Sequence, residues 1–169
     1  MKMVFDLDLE KCTACGACAV ACMDQNDIYP DKGDAPFRRV GSVNPFRPEE
    51  NPDLGYISLA CMHCADAPCI PACLVGCLFK DEMNLTLFDN TRCIGCHSCA
   101  MACPFGAPTY RSDGKMRKCD GCSERLKAGL LPACVRACSY GALTCVPEEE
   151  YARKHTDRSL RSIMNKTAR

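Results

Sequence analysis

The 169-residue chain has no tryptophan, only 7% aromatic residues and three histidines, and its 21 Lys plus Arg cancel its 21 Asp plus Glu. With no net positive charge and no indole for base stacking, nothing in the composition favours nucleic-acid binding. There is no apolar run of 18 residues, so no segment reads as a membrane-spanning helix. The opening Met1–Asp6 shows neither a basic-then-apolar leader nor twin arginines, which makes the cytoplasm the expected compartment. The alternatives are export in folded form on a signal-bearing partner and membrane association through an anchor subunit. No Ser-His-Asp setting, Gly-rich phosphate loop or converging carboxylate pair is present, so the chain is expected not to be a catalyst on its own.

What the chain has is sulfur. Eighteen residues are cysteine, about one in nine, and discounting them drops the hydrophobic fraction from 47% to roughly 36%. A large side-chain core is not expected, and small domains of this kind need metals or disulfides to offset chain entropy. Without a secretory signal, metal is favoured over disulfides.

Sixteen of the cysteines fall into four groups of four. Cys12, Cys15, Cys18 and Cys22 follow C-x2-C-x2-C-x3-C, and so do Cys93, Cys96, Cys99 and Cys103, closed by Pro104. The group Cys61, Cys64, Cys69 and Cys73 widens the middle gap to four residues, and Cys119, Cys122, Cys134 and Cys138 widens it to eleven. A 4Fe-4S cube needs one thiolate on each iron. A tight turn delivers three, and in two-cluster ferredoxins the fourth cysteine ligates the other cluster, so such motifs work in pairs. Structural zinc prefers two short pairs separated by a dozen or more residues, a form only the last group approaches.

Two cysteines are left over. Cys77 follows Cys73 at the spacing by which Cys73 follows Cys69; the shared C-x3-C closure favours Cys73 as the ligand, with Cys77 where a small residue would suffice. Cys145, in the apolar run Leu143–Val146, reads as a buried, inert thiol.

The cysteine pattern and the stretches Cys22–Asp27, Phe37–Val40, Cys99–Pro108 and Lys115–Cys122 make the chain, from about Cys12 to Pro147, resemble the four-cluster iron-sulfur subunits of the dimethyl sulfoxide reductase family of molybdenum and tungsten enzymes. Related subunits serve formate dehydrogenases, thiosulfate and polysulfide reductases, hydrogenase complexes and tungsten aldehyde oxidoreductases. The resemblance implies four 4Fe-4S clusters and a role as a wire between a large pterin-metal catalytic subunit and a second redox partner: a membrane anchor, a flavin subunit or another copy of the chain. A free polyferredoxin, a hydrogenase-complex subunit or a filament-forming conductor would use the same motifs. It also implies nested pairing, which spacing alone does not separate from sequential pairing. Cluster 1 then takes Cys12, Cys15, Cys18 and Cys138; cluster 2 takes Cys119, Cys122, Cys134 and Cys22; cluster 3 takes Cys61, Cys64, Cys69 and Cys103; cluster 4 takes Cys93, Cys96, Cys99 and Cys73. Met23, Leu74 and Ser139 stand where the family usually has proline, which frees an amide that could donate to a cluster sulfur.

The expected fold is α+β, with two dicluster ferredoxin-like units of short helices and hairpins. The outer unit comprises residues 1–27 plus 111–147 and the inner one 56–110. Residues 28–55, with five prolines, read as a connecting loop, and 148–169 as a C-terminal helix or tail. Helices are expected at Ala17–Asn26 and Ala100–Ala102, strands at Tyr56–Leu59 and Thr86–Phe88. Val20, Ile70 and Ile94 are expected to shield clusters from water. Arg92, Lys118, Arg117, Arg136 and Lys11 sit beside ligands, each more readily a surface charge; His63 and His97 are expected to point to solvent. In the tail, acidic Glu148–Glu150 lead and basic residues end the segment, with Leu160, Ile163 and Met164 as an apolar stripe, so a docking helix competes with a frayed tail.

Overall fold

A computed structural model describes residues 1–42 and 55–167, with side chains described as far as Asp157. The order of elements is β1 (Met3–Leu7), α1 (Ala17–Gln25), a 3-10 turn (Pro30–Lys32), β2 (Arg39–Ser42), β3 (Tyr56–Leu59), β4 (Leu78–Lys80), β5 (Thr86–Phe88), α2 (Ser98–Ala102), β6 (Thr109–Tyr110), β7 (Met116–Arg117), α3 (Ser123–Lys127), α4 (Ala133–Arg136), β8 (Leu143–Pro147) and α5 (Glu148–Thr167). The class is α+β, with short helices and two-stranded antiparallel sheets.

The ends of the chain meet in the β1–β8 pair, where Met3 lies opposite Pro147 and Leu7 opposite Leu143. Both strands alternate: Phe5 faces inward from one and Leu143 and Cys145 from the other. β1 runs into the first cysteine motif and β8 leaves the fourth, so their pairing brings those motifs together, and α1 packs on α4 behind them. The motifs between them are joined by the β4–β5 hairpin, Leu78 opposite Phe88.

Among the described residues three small cores replace one large one, and each contains sulfur. Phe5, Leu85 and Leu143 pack with Cys18, Cys134 and Cys145; Leu78 and Met116 with Cys69, Cys77 and Cys99; Ile28 and Phe37 with Cys22 and Cys119. Space that aliphatic side chains fill in an ordinary domain is here ringed by thiols, which accords with the low aliphatic content.

Both expected helices and both expected strands form. The connector differs from a plain loop: Pro30 starts the 3-10 turn and Arg39–Ser42 pair with Tyr56–Leu59 as an antiparallel ladder. Pro45, Pro48 and Pro52 fall in 43–54, outside the described residues. α5 is helical through Thr167, its acidic first turn matching the helix dipole. It is tied to the fold by Lys2–Glu148 at 3.7 Å and His155–Asp6 at 3.6 Å. The stripe Leu160, Ile163 and Met164 falls within this helix, in the part whose side chains lie outside the described set. None of the helices among the described residues is long and apolar enough to cross a membrane.

Candidate iron-sulfur sites

All four motifs share a backbone device that their residue types do not. The residue just before the second cysteine is left-handed in each: Ala14 (φ 53°), His63 (φ 48°), Gly95 (φ 69°) and Gly121 (φ 72°). Only two of the four are glycine, so the alanine and histidine hold a conformation that costs energy and that the surrounding loop must impose. A left-handed residue also follows the second cysteine in the two evenly spaced motifs, Gly16 (φ 80°) and His97 (φ 63°), each capping the helix that begins there. Alternating hands turn successive N–H groups toward one centre, the concave arrangement that suits an anion.

A second device repeats after the closing cysteines. Gly76, Gly106 and Gly141, each three residues on and left-handed, return an N–H to the carbonyl of Cys73, Cys103 and Cys138 at 3.2, 3.2 and 3.0 Å. The turn then aims an amide at the sulfur itself: Cys77 N–H at Cys73 (3.2 Å), Ala107 N–H at Cys103 (3.5 Å) and Leu143 N–H at Cys138 (3.3 Å). The first motif lacks the glycine, and the Asn26 side-chain amide reaches Cys22 Sγ instead, at 3.7 Å. These donors to the closing sulfurs lie further along the chain than the amides of Met23, Leu74 and Ser139 that the missing prolines leave free.

The sulfurs surround cavities. Cys12, Cys15 and Cys18 line one apolar-walled cavity together with Cys138. Cys93, Cys96 and Cys99 line another with Cys73 and Cys77. In a third group, burial and then the neighbouring sulfur of Cys134 push the Cys22 thiol up to about 12, with Cys122 adding to the rise, while burial, then Cys61 and then Cys22 raise Cys119. In the fourth, burial and then Cys61, with Cys103 beyond it, raise the thiols of Cys64 and Cys69. No three His, Cys, Asp or Glu among the described residues converge closely enough to hold a single ion. Four thiols around an apolar-walled space, with amides aimed inward, fit a cube of iron and sulfide better than a tetrahedral zinc.

Buried cations stand close to these thiols. Lys118 is only 1% exposed, its ammonium donating to the Thr86 carbonyl and, at 2.9 Å, to that of Cys119. This corrects the surface-charge expectation for Lys118, whereas Lys11, Arg92 and Arg136 are exposed as expected and Arg117 is half-buried. Arg38, noticeable in the sequence only as part of a matching stretch, is 4% exposed and donates to both the Ser58 carbonyl and hydroxyl at 3.1 Å. Its Nε finds no partner among the described residues, and its charge lowers the thiols of Cys22 and Cys134 against the larger effect of burial. Ser58 Oγ in turn lies 3.2 Å from Cys18.

The histidines part company. His97 is exposed and stacks on Tyr110 at 3.7 Å, while the Tyr110 hydroxyl lies 3.4 Å from Cys99 Sγ. His63 is buried, contrary to the solvent-facing expectation, because its ring stacks on Phe5 and accepts the Thr86 backbone N–H. Val20 and Ile94 are 62% and 64% exposed, so neither is a buried shield, although Ile94 lies at the rim of the cavity holding Cys96; Ile70 is half-buried.

Repeated cysteine loops, inward amides and sulfur-lined cavities define a ferredoxin-type iron-sulfur protein. A family model described as a 4Fe-4S dicluster domain matches residues 52–147. Over 161 residues the sequence is 37% identical to one of the chains of the anaerobic dimethyl sulfoxide reductase of Escherichia coli (strain K12), covering 90% of this chain and 77% of that one. It is 37% identical over 142 residues to a thiosulfate reductase electron transfer subunit of Salmonella typhi, covering 80% and 71%. With one of the tetrathionate reductase subunits of Salmonella typhimurium (strain LT2) the identity is 35% over 139 residues, covering 80% and 54%. The protein belongs to the 4Fe-4S dicluster family and, within it, to the iron-sulfur subunits of the dimethyl sulfoxide reductase type. It is an electron-transfer subunit rather than a catalytic one, and its cofactors are 4Fe-4S clusters.

Proposed function

We propose that the chain relays single electrons through four clusters between a molybdenum- or tungsten-pterin catalytic subunit and a second redox partner, either a membrane anchor, a flavin subunit or another copy of itself. The ligand sets are Cys12, Cys15, Cys18 and Cys138; Cys22, Cys119, Cys122 and Cys134; Cys61, Cys64, Cys69 and Cys103; and Cys73, Cys93, Cys96 and Cys99. The first two form an outer unit from residues 1–27 and 111–147, the last two an inner unit from 56–110, with 28–55 as connector and 148–169 as a terminal helix. The complex works in the cytoplasm, or is carried to the membrane or beyond by a partner.

The observation that carries this reading is Cys138 beside Cys12, Cys15 and Cys18 on one cavity, although it is remote from them in sequence. A fourth sulfur from the last motif is what nested pairing requires; sequential pairing would draw it from the second. The nearness of Cys22 to Cys134 and of Cys103 to Cys64 supports the same pattern.

A 4Fe-4S cluster supplies one-electron chemistry; the polypeptide's part is to hold, insulate and bias it. Four oxidised clusters bring the neutral chain to about −8, and full reduction to about −12, by thiolate bookkeeping. Arg38 and Lys118 oppose that build-up where water cannot, and the inward amides stabilise extra electron density on the sulfurs. The test is Cys99→Ser in the purified complex. Throughput to the natural acceptor should collapse while substrate binding to the catalytic subunit persists; full turnover would refute the relay.

A further inference from the structure

We infer that His63 couples the second and third clusters: it belongs to the loop of one and donates a hydrogen bond to a ligand of the other. This rests on the ligand sets proposed above. His63 lies between Cys61 and Cys64, in the turn of the third set. Its side chain leaves that set. Nδ1 accepts the Thr86 backbone N–H at 3.0 Å, which leaves the imidazole proton on Nε2, and Nε2 lies 3.6 Å from Cys119 Sγ, a sulfur of the second set.

Three features fix the ring there. The left-handed backbone of His63 aims it inward, Phe5 stacks on it with centroids 5.5 Å apart, and Gly121 gives it room. A Cβ on Gly121 would stand 3.3 Å from His63 Cε1 and 3.0 Å from a Leu85 methyl, so any side chain there would make the ring and Leu85 give way by a few tenths of an ångström. The groups facing the imidazole from the packed elements are Arg38, Lys80 and Lys118, all cationic. Lys80 additionally donates to the carbonyls of His63 (3.2 Å) and Cys64, stapling the turn. The neutral ring is thus a dry, rigid bridge between two loops, with its one N–H directed at a ligand sulfur.

Two consequences follow. An N–H donor on Cys119 stabilises the more negative, reduced form of the second cluster, raising its potential. The ring also fills the gap between the loops with bonded atoms rather than water or a void. His63 is a positioning residue, acting through Cys119.

His63→Asn separates the donor from the scaffold. Asparagine tolerates left-handed backbone and its Oδ1 can still accept from Thr86, yet it is too short to reach Cys119. In anaerobically purified complex, this variant should retain wild-type iron and sulfide and show one of four midpoint potentials lowered by about a tenfold change in the reduction equilibrium, roughly 59 mV for one electron. His63→Gln, which restores a reaching N–H, should recover most of the shift. Four unchanged potentials in an iron-replete Asn variant would overturn the inference. Should the variants lose iron, wild-type protein carrying 15N-histidine decides: pulsed EPR of the reduced clusters should show one coupled imidazole nitrogen, and its absence would overturn the inference equally. Wild-type iron well below sixteen per chain would instead refute the ligand sets, so the two failures are distinguishable.

Discussion

The sulfur of Cys77 lies 3.4 Å from that of Cys73, and the Cys77 amide donates to the same Cys73 sulfur at 3.2 Å. Burial, reinforced by the Cys73 sulfur, pushes the Cys77 thiol up to about 12. Burial also opposes ionisation of Cys73, but the amides of Cys77, Val75 and Leu78 and the Cys77 thiol together bring it below the ordinary thiol range. These contacts support the proposed role of Cys73 as the ligand, with Cys77 as a protonated, weak S–H donor to it. The shared C-x3-C closure favours the same choice. Cys77→Ala should therefore keep all four clusters and lower one potential by less than a tenfold step, under about 59 mV. EPR-monitored redox titration checks this, and loss of a cluster would make Cys77 a ligand.

Lys118 is expected to matter to both potential and stability. Lys118→Met removes a buried cation and leaves the carbonyls of Thr86 and Cys119 without their donor. Each unsatisfied buried carbonyl costs about 1–3 kcal/mol, so thermal unfolding should come several degrees earlier. Without the cation, added electrons are less favourable and the potential of the cluster proposed on Cys69 should fall. Normal melting with unchanged potentials would contradict the assignment.

Cys145, which lies outside the proposed ligand sets, gives a pH dependence of its own. Burial, then the Cys134 and Cys122 sulfurs, push its thiol up to about 12. The folded state therefore keeps the proton at pH values where the unfolded thiol, near 9, has lost it. Stability contributed by the buried thiol is complete below about pH 9 and declines as pH rises toward 12, by at most about 1.4 kcal/mol per pH unit. Denaturant unfolding of wild type and Cys145→Ala across that range should show the steeper decline in wild type. Parallel curves would contradict the buried-thiol account.

The C-terminal helix supplies another prediction. Its first turns are held by Lys2–Glu148 and His155–Asp6, whereas residues 151–169 hold six Lys or Arg against one Asp. If this basic helix docks a partner, deleting residues 152–169 should leave the absorbance spectrum intact and weaken complex assembly, read by size-exclusion chromatography under anaerobic conditions. Assembly as before would remove that role.

Much of the site was legible because iron-sulfur ligation is written in local spacing, and short strands such as Tyr56–Leu59 alternate visibly. What was not legible depends on direction rather than composition. Nothing in Cys61-Met62-His63-Cys64 announces that residue 63 is left-handed or that its ring turns to Cys119 rather than to solvent. Lys118 reads as a surface charge, and Arg38 as an unremarkable one, because their partners, Thr86 and Ser58, come from distant strands. Strand β2 was missed because a proline-rich neighbourhood masked a four-residue ladder whose partner lies beyond it.

The central claim is sixteen sulfurs holding four cubes, and the most direct measurement is iron and acid-labile sulfide per chain in anaerobically isolated protein, paired with its visible spectrum. The account predicts close to sixteen of each, with broad brown absorbance that bleaches on reduction. Folded protein that is colourless and free of iron would contradict it.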